Sequence, residues 1–169
     1  MSDALSAIEK IPEYKMNILN RAIESDRLSK LLYYDSPDAL FLDSLDDSTK
    51  QSLIYSRVFP FRFVPDPINN QGTFLTISIS GFTAPKISAK EMPSYLNGSI
   101  YFYMFTHTDL MRTHSGVRQD LVLSEITRIF DGARGLGIGK ISLRYVDELW
   151  IHNNKFGGYT ASFTITDFS

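Results

Sequence analysis

Two histidines and a carboxylate lie close together at His107, Asp109 and His114. Imidazole nitrogens and carboxylate oxygens are the donor set of zinc and related metals, so this cluster is the first place to look for a metal site. The spacing does not match a ligand signature. There is no HExxH pair, and Thr106, Thr108, Thr113 and Ser115 give the stretch the composition of a polar strand-to-helix turn. The third histidine, His152, falls near a predicted strand end. Gly132-Ala133-Arg134-Gly135-Leu136-Gly137-Ile138-Gly139 has the glycine density of a phosphate-cradling loop. Such loops follow a strand and open a helix, whereas this one follows a predicted helix and opens a predicted strand. Ile141 follows Gly139-Lys140 where a P-loop needs Ser or Thr, and Gly135 to Gly139 is one residue too short.

Other reaction classes fail on residue type or direction. No G-x-S-x-G elbow is present, and Pro65-Asp66 lacks the acidic-x-Lys of a paired-carboxylate nuclease. Asp147 and Glu148 are neighbours in a predicted strand, so they point to opposite faces. The chain has no cysteine, which excludes thiolate zinc sites, Fe–S clusters, disulfides and Cys nucleophiles. The expectation is a protein that is not an enzyme and holds no metal, nucleotide or other cofactor. Lys plus Arg is 17 against 19 for Asp plus Glu, a net charge of −2, which argues against a general nucleic-acid binder. Neither a secretory leader nor a run of apolar residues long enough to span a membrane is expected. Asn97-Gly98-Ser99 spells a glycosylation acceptor, and without a leader it reads as a turn.

The elements that would position these residues follow from periodicity. Residues 1 to about 34 read as helical, interrupted at Pro12. From Glu13 an apolar stripe runs through Met16, Leu19, Ala22, Ile23, Leu28, Leu31 and Leu32. Tyr34-Asp35-Ser36-Pro37-Asp38 stops it. Asp35–Lys50 reads as an acidic, solvated connection with a short helix near Ser48 to Ile54. Phe59, Phe61 and Phe63 then alternate like a strand, with Pro60 demoting it to an edge. Thr73–Phe82 and Ser99–Thr106 are the next strands. The second is apolar on both faces and belongs in mid-sheet. Between them, Thr83–Gly98 is a long polar excursion. Val117–Phe130 is an amphipathic helix with Val122, Ile126, Ile129 and Phe130 inward, ended by Gly132. Lys140–His152 and Tyr159–Phe168 are the last strands, joined by Asn153-Asn154 and Gly157-Gly158 turn chemistry.

The order is helix, three strands, helix, two strands. It predicts an α+β class: a mostly antiparallel sheet of four or five strands, with an N-terminal helix and a second helix packed on one face. A single domain over 1–169 is expected: helical 1–34, acidic 35–50, and sheet with crossing helix 51–169. Aromatic residues make up 13% of the chain, and the Phe59–Phe63 edge, the doubly apolar Ile100–Phe105 strand and the long Thr83–Gly98 loop exceed what one small core needs. Surplus apolar surface marks association. The predicted assembly residues are Phe59, Phe61, Phe63, Ile87, Met92, Tyr95 and Leu96.

This pattern resembles the tail-terminator and neck proteins of tailed bacteriophages. The resemblance is carried by Leu28-Ser29-Lys30-Leu31-Leu32-Tyr33-Tyr34 and Val58-Phe59-Pro60-Phe61-Arg62-Phe63-Val64-Pro65. It continues through Phe102-Tyr103-Met104-Phe105-Thr106-His107-Thr108-Asp109-Leu110, Gly135-Leu136-Gly137-Ile138-Gly139-Lys140, Asp147-Glu148-Leu149-Trp150 and Phe156-Gly157-Gly158-Tyr159. The resemblance implies a virion structural subunit, made in the host cytoplasm and built into the tail or neck. It would form a ring, usually a hexamer, at the head-proximal end of the tail tube, ending elongation and joining tail to head. The implied partners are further copies of itself, the tail tube protein, a head-side neck or connector protein and, in a contractile tail, the sheath protein. No membrane and no sequence-specific nucleic acid is implied, although DNA would pass through the ring. Two alternatives stand beside this reading: another neck protein, of the head-completion or connector kind, or a soluble enzyme or ligand-binding domain with its site near His107, Asp109 and His114.

Overall fold

A computed structural model describes residues 8–66, 68–83, 96–150 and 155–168, with the side chains of 82, 83, 96, 150 and 166–168 left out. The helical start is two helices, α1 (Ile11–Glu24) and α2 (Asp26–Tyr33), rather than one. Ser25 breaks it. Its backbone is extended, and its side chain accepts the Leu28 N–H at 3.2 Å as the N-cap of α2. The step of five from Ile23 to Leu28 is the trace of this break. The inward face of α1 is Tyr14, Ile18, Leu19, Ala22 and Ile23, so the stripe includes two residues that the sequence reading left out. Met16 only borders it.

The acidic connection is less solvated than its composition predicts. Ala39 and Leu45 are buried, and α3 (Asp47–Ser52) is capped by Asp46, whose carboxylate accepts the Thr49 N–H at 2.7 Å. The Phe59–Phe63 strand shrinks to β1 (Val58–Phe59), because Pro60 removes the next donor. β2 (Thr73–Thr83) and β3 (Leu96–His107) are longer than predicted and are paired out to Thr83 and Asn97, which shortens the Thr83–Gly98 excursion from both ends. Residues 84–95 lie outside the described residues. The Thr106–Gly116 connection holds a 3-10 turn (Thr108–Leu110) and a small hairpin of β4 (Arg112–Thr113) and β5 (Gly116–Val117). Helix α4 is Arg118–Phe130. It is followed by β6 (Ile141–Trp150) and β7 (Phe156–Phe168). Gly157 and Gly158 belong to β7 and do not form its turn. Gly158 is needed for close approach, since a Cβ there would lie 1.6 Å from the Met104 carbonyl oxygen.

The sheet order is β1-β2-β3-β7-β6, which puts the doubly apolar β3 in the middle. β1 runs parallel to β2 and the other pairings are antiparallel, so this α+β fold has a mixed sheet. The helices cover one face. There Leu75, Ile77, Ile100, Phe102, Met104, Ala161, Phe163 and Ile165 meet the buried faces of α1, α2 and α4. Phe102 sits 4.7 Å from Phe130 and 5.4 Å from Phe163, ring centre to ring centre.

Arg118 locks this layer together from inside. It is fully buried at the first residue of α4. Its Nε donates to Leu110 O at 2.9 Å, Nη1 to Leu31 O at 3.0 Å and Tyr34 O at 2.8 Å, and Nη2 to Ser36 O at 2.6 Å. The fork thereby satisfies carbonyls at the C-terminal end of α2, where a cation is also favoured by the helix dipole. Burial pulls the guanidinium below its ordinary value, while nearby Asp35 pushes it back up and Arg57 pulls it down. Buried Glu125 makes a second tie, accepting from Arg27 of α2 at 2.9 Å and from Arg128 of α4 at 3.0 Å. Among the described residues no helix is long and apolar enough to cross a membrane.

Candidate functional site

The histidine cluster does not converge. His107 is fully buried at the end of β3, edge-on to the Phe156 ring at 5.3 Å. Its Nδ1 accepts the Asp109 N–H at 3.3 Å, so the ring is a lock on the turn that follows. The Asp109 carboxylate lies 3.6 Å from the same nitrogen and is largely exposed. His114 sits at the tip of the β4–β5 hairpin, in solvent, with Nε2 at 3.0 Å from Asp38. Among the described residues no group of three or more His, Cys, Asp or Glu side chains is placed to hold a metal. The glycine run is a structural turn. Gly132, Gly135 and Gly137 take positive φ of 78°, 83° and 81°. Within the run, buried Leu136 and Ile138 tuck into the core. Asn17 donates to Leu136 O at 3.2 Å, fixing that turn to α1.

The chemically distinctive surface is the other face of the sheet, away from the helices. The register places Phe74, Thr76 and Ser78 of β2 beside Phe105, Tyr103 and Tyr101 of β3. These are followed by Gly158, Thr160 and Ser162 of β7, then Leu149, Asp147 and Tyr145 of β6. Tyr101 and Tyr103 stack at 6.3 Å. Partial burial, followed by the Tyr101 hydroxyl, pushes the Tyr145 phenol above its ordinary value.

After β1 the chain folds over one end of this face. Phe59 and Phe63 stack at 4.0 Å and 14°, and Phe63 reaches Phe74 at 5.6 Å. Phe59, Phe74, Phe105 and Phe156 make a second apolar cluster, separate from the core under the helices. A groove of about 540 Å³ runs between the Arg62–Val64 segment and the sheet, with Thr76, Ser78, Tyr103, Phe105 and Leu149 as walls and floor. On the outside of the same segment, Phe61 is 49% exposed and stacks at 6.3 Å on Tyr55, itself 61% exposed. Tyr55 holds a φ of +66°, a region that non-glycine residues seldom occupy, where the chain reverses between α3 and β1. Its N–H donates to Val58 O at 2.8 Å, which keeps the reversal tight.

Of the predicted assembly residues, Phe59 and Phe63 are therefore drawn largely into the second cluster, and Phe61 is presented outward. Ile87, Met92 and Tyr95 lie outside the described residues, and of Leu96 only the backbone at the start of β3 is described. The sequence reading missed Tyr55, Tyr101, Tyr103 and Tyr145. The alternation of Tyr101 and Tyr103 with Phe102 and Met104 is the signal that marks them as a face.

The YomW family model matches residues 25–165, from the N-cap of α2 to the last strand. Its name is of a kind typical of phage-derived proteins of Bacillus. No curated protein matches the chain.

Proposed function

Because the chain belongs to the YomW family, a phage-related family, we propose that it is a virion structural subunit of the neck. In this reading it forms a ring, six-fold in the implied pattern, at the head-proximal end of the tail, ends tube growth and joins tail to head. The observation that carries the reading is the open sheet face. It combines an aromatic groove walled by hydroxyls with an exposed Tyr55–Phe61 pair held on a strained backbone. Rigid aromatics with hydroxyl neighbours suit a packed interface between subunits, since they bury much area at little conformational cost. Strain kept at an exposed aromatic points the same way. Ring closure needs heterologous contacts of fixed rotation, and termination needs an outer surface that no longer fits the next tube subunit.

The test is mass spectrometry and electron cryomicroscopy of purified tailed particles made with this protein. A symmetric ring of the protein between tail and head is expected. Particles that are complete without it, or that carry a single copy, would overturn the reading.

A further inference from the structure

The two edges of the five-stranded sheet differ. At the β1 edge, Ile54 bridges Val58, the Tyr55 N–H occupies the Val58 carbonyl, and Pro60 follows, so that edge is closed. The first residues of β6 are closed as well. Gly132 donates to Ile141 O at 2.8 Å, the Ile141 N–H donates to Ala133 O at 3.0 Å, and the Leu143 N–H donates to Asp131 Oδ1 at 2.9 Å. A bulge then falls between Leu143 and Tyr145. Beyond it β6 pairs with β7 on one side and, among the described residues, with no strand on the other. Arg144, Tyr145, Val146, Asp147 and Glu148 are exposed in succession, with Tyr145 at 38% and Val146 at 37%. This open stretch carries neither Lys nor Pro; besides the bulge, its protection is the charge of Arg144, Asp147 and Glu148, which is of both signs and can pair across a second copy.

We propose that Arg144–Glu148 pairs antiparallel with the same stretch of a second copy, across a two-fold axis at Val146. The charges select that register. Centring the axis on Asp147 or Glu148 would set like carboxylates directly opposite each other. Centring it on Tyr145 would leave only Arg144–Val146 to pair before the second copy meets Leu143, whose N–H Asp131 already occupies, whereas centring on Val146 leaves five residues. Centring on Val146 sets Val146 against Val146 on the helix-covered face. Tyr145 then lies opposite Asp147 on the open face, with the phenol placed to donate to the carboxylate. Arg144, which lies over the Tyr145 ring at 6.0 Å, comes alongside the second copy's Asp147-Glu148 pair. Because the β1 edge is closed, the pairing stops at two copies and cannot extend into a fibre. The contact is isologous, so it is distinct from the head-to-tail contacts of a ring and does not rest on the neck reading.

The chain has no cysteine, so Val146→Cys adds a lone thiol. Across the proposed axis its Cα lies about 4.5–5.5 Å from its mate, within disulfide reach. Mild oxidation of the full Val146→Cys chain should give a covalent dimer on a non-reducing gel. Val117→Cys, at a still more exposed site on the β5 hairpin, should give no covalent dimer under the same conditions. In sedimentation the unaltered chain should run at twice its own mass, and Val146→Lys and Arg144→Glu should halve it. A monomeric unaltered chain would overturn the proposal. So would a multimer unmoved by Val146→Lys, or Val146→Cys cross-linking no faster than Val117→Cys. A multimer unmoved by Val146→Lys leaves the ring reading standing. A dimer lost on Val146→Lys, in a protein missing from particles, overturns the ring and keeps the edge contact.

Discussion

At the scale of single residues, Arg118 is the side chain on which the helical layer depends. Four carbonyls lose their donor if it is removed, and each buried acceptor left unpaired costs about 1–3 kcal/mol. Arg118→Met should therefore lower the free energy of unfolding by about 3 kcal/mol or more, read by urea titration. Arg118→Lys should recover only part of it, because a point ammonium cannot reproduce the planar fork. Gly158 is the second such residue. A methyl group there meets backbone, not a side chain that can swing away, so β3 and β7 must separate. Gly158→Ala should destabilise by about 1–3 kcal/mol, the overpacking range, with the loss seen as faster amide exchange in those two strands. Equal stability and equal exchange would mean that the strands have slack at that crossing.

At the scale of elements, the caps and cross-ties respond to pH. The Thr49 hydroxyl and N–H lower Asp46, and the N–H groups of Ile68 and Asn69 lower Asp66. Ser44 and then Lys30 lower Asp26 in the first turn of α2. All three are more acidic in the folded chain than in the unfolded one. Their stabilisation is therefore complete above the ordinary carboxylate value of 3.8 and lost as pH falls through the lowered values. Tyr159 behaves the other way. Its hydroxyl donates to Asp120 of α4 at 2.8 Å, which raises the phenol above 10.0. That tie holds below pH 10 and fails as pH rises through the raised value. Thermal melts should thus show a plateau that falls away at both ends. Asp46→Asn, which keeps a capping oxygen, should flatten the acid limb slightly, and Tyr159→Phe should flatten the alkaline limb. An acid limb unchanged by Asp46→Asn would mean that the α3 cap contributes nothing to it.

At the scale of the molecule, the surface divides into a helix-covered side and an aromatic, hydroxyl-rich side. If the second is an assembly surface, it can be damaged without harming the fold. Tyr55→Gly relieves the positive φ and deletes an exposed ring, so its effect on stability should stay within about 1 kcal/mol. Phe61→Ser removes the ring stacked on it. Both chains should melt near the parent temperature, yet fail to enter particles in a competition with the unaltered protein. Normal incorporation would show that this pair is not a contact.

Periodicity and turn chemistry determined the class and the order of elements. The helix stripe, the doubly apolar Ser99–Thr106 strand, the Gly132 stop and the alternation of the last strand are local patterns, and each element formed where its pattern lay. Three features were decided by tertiary structure, because they depend on partners distant in sequence. Arg118 reads as one more charge at a helix start, and only the arrival of α2 carbonyls from residues 31–36 makes it an interior anchor. His107, Asp109 and His114 read as a cluster, yet β3 buries the first and Asp38 holds the last. The phenylalanines at 59, 61 and 63 read as one strand face. Pro60 ended the ladder, and the chain was free to fold Phe63 onto Phe74 while leaving Phe61 outside. Which face of a sheet helices cover is settled by where the helices pack, and that placement left the tyrosine face of β3 open.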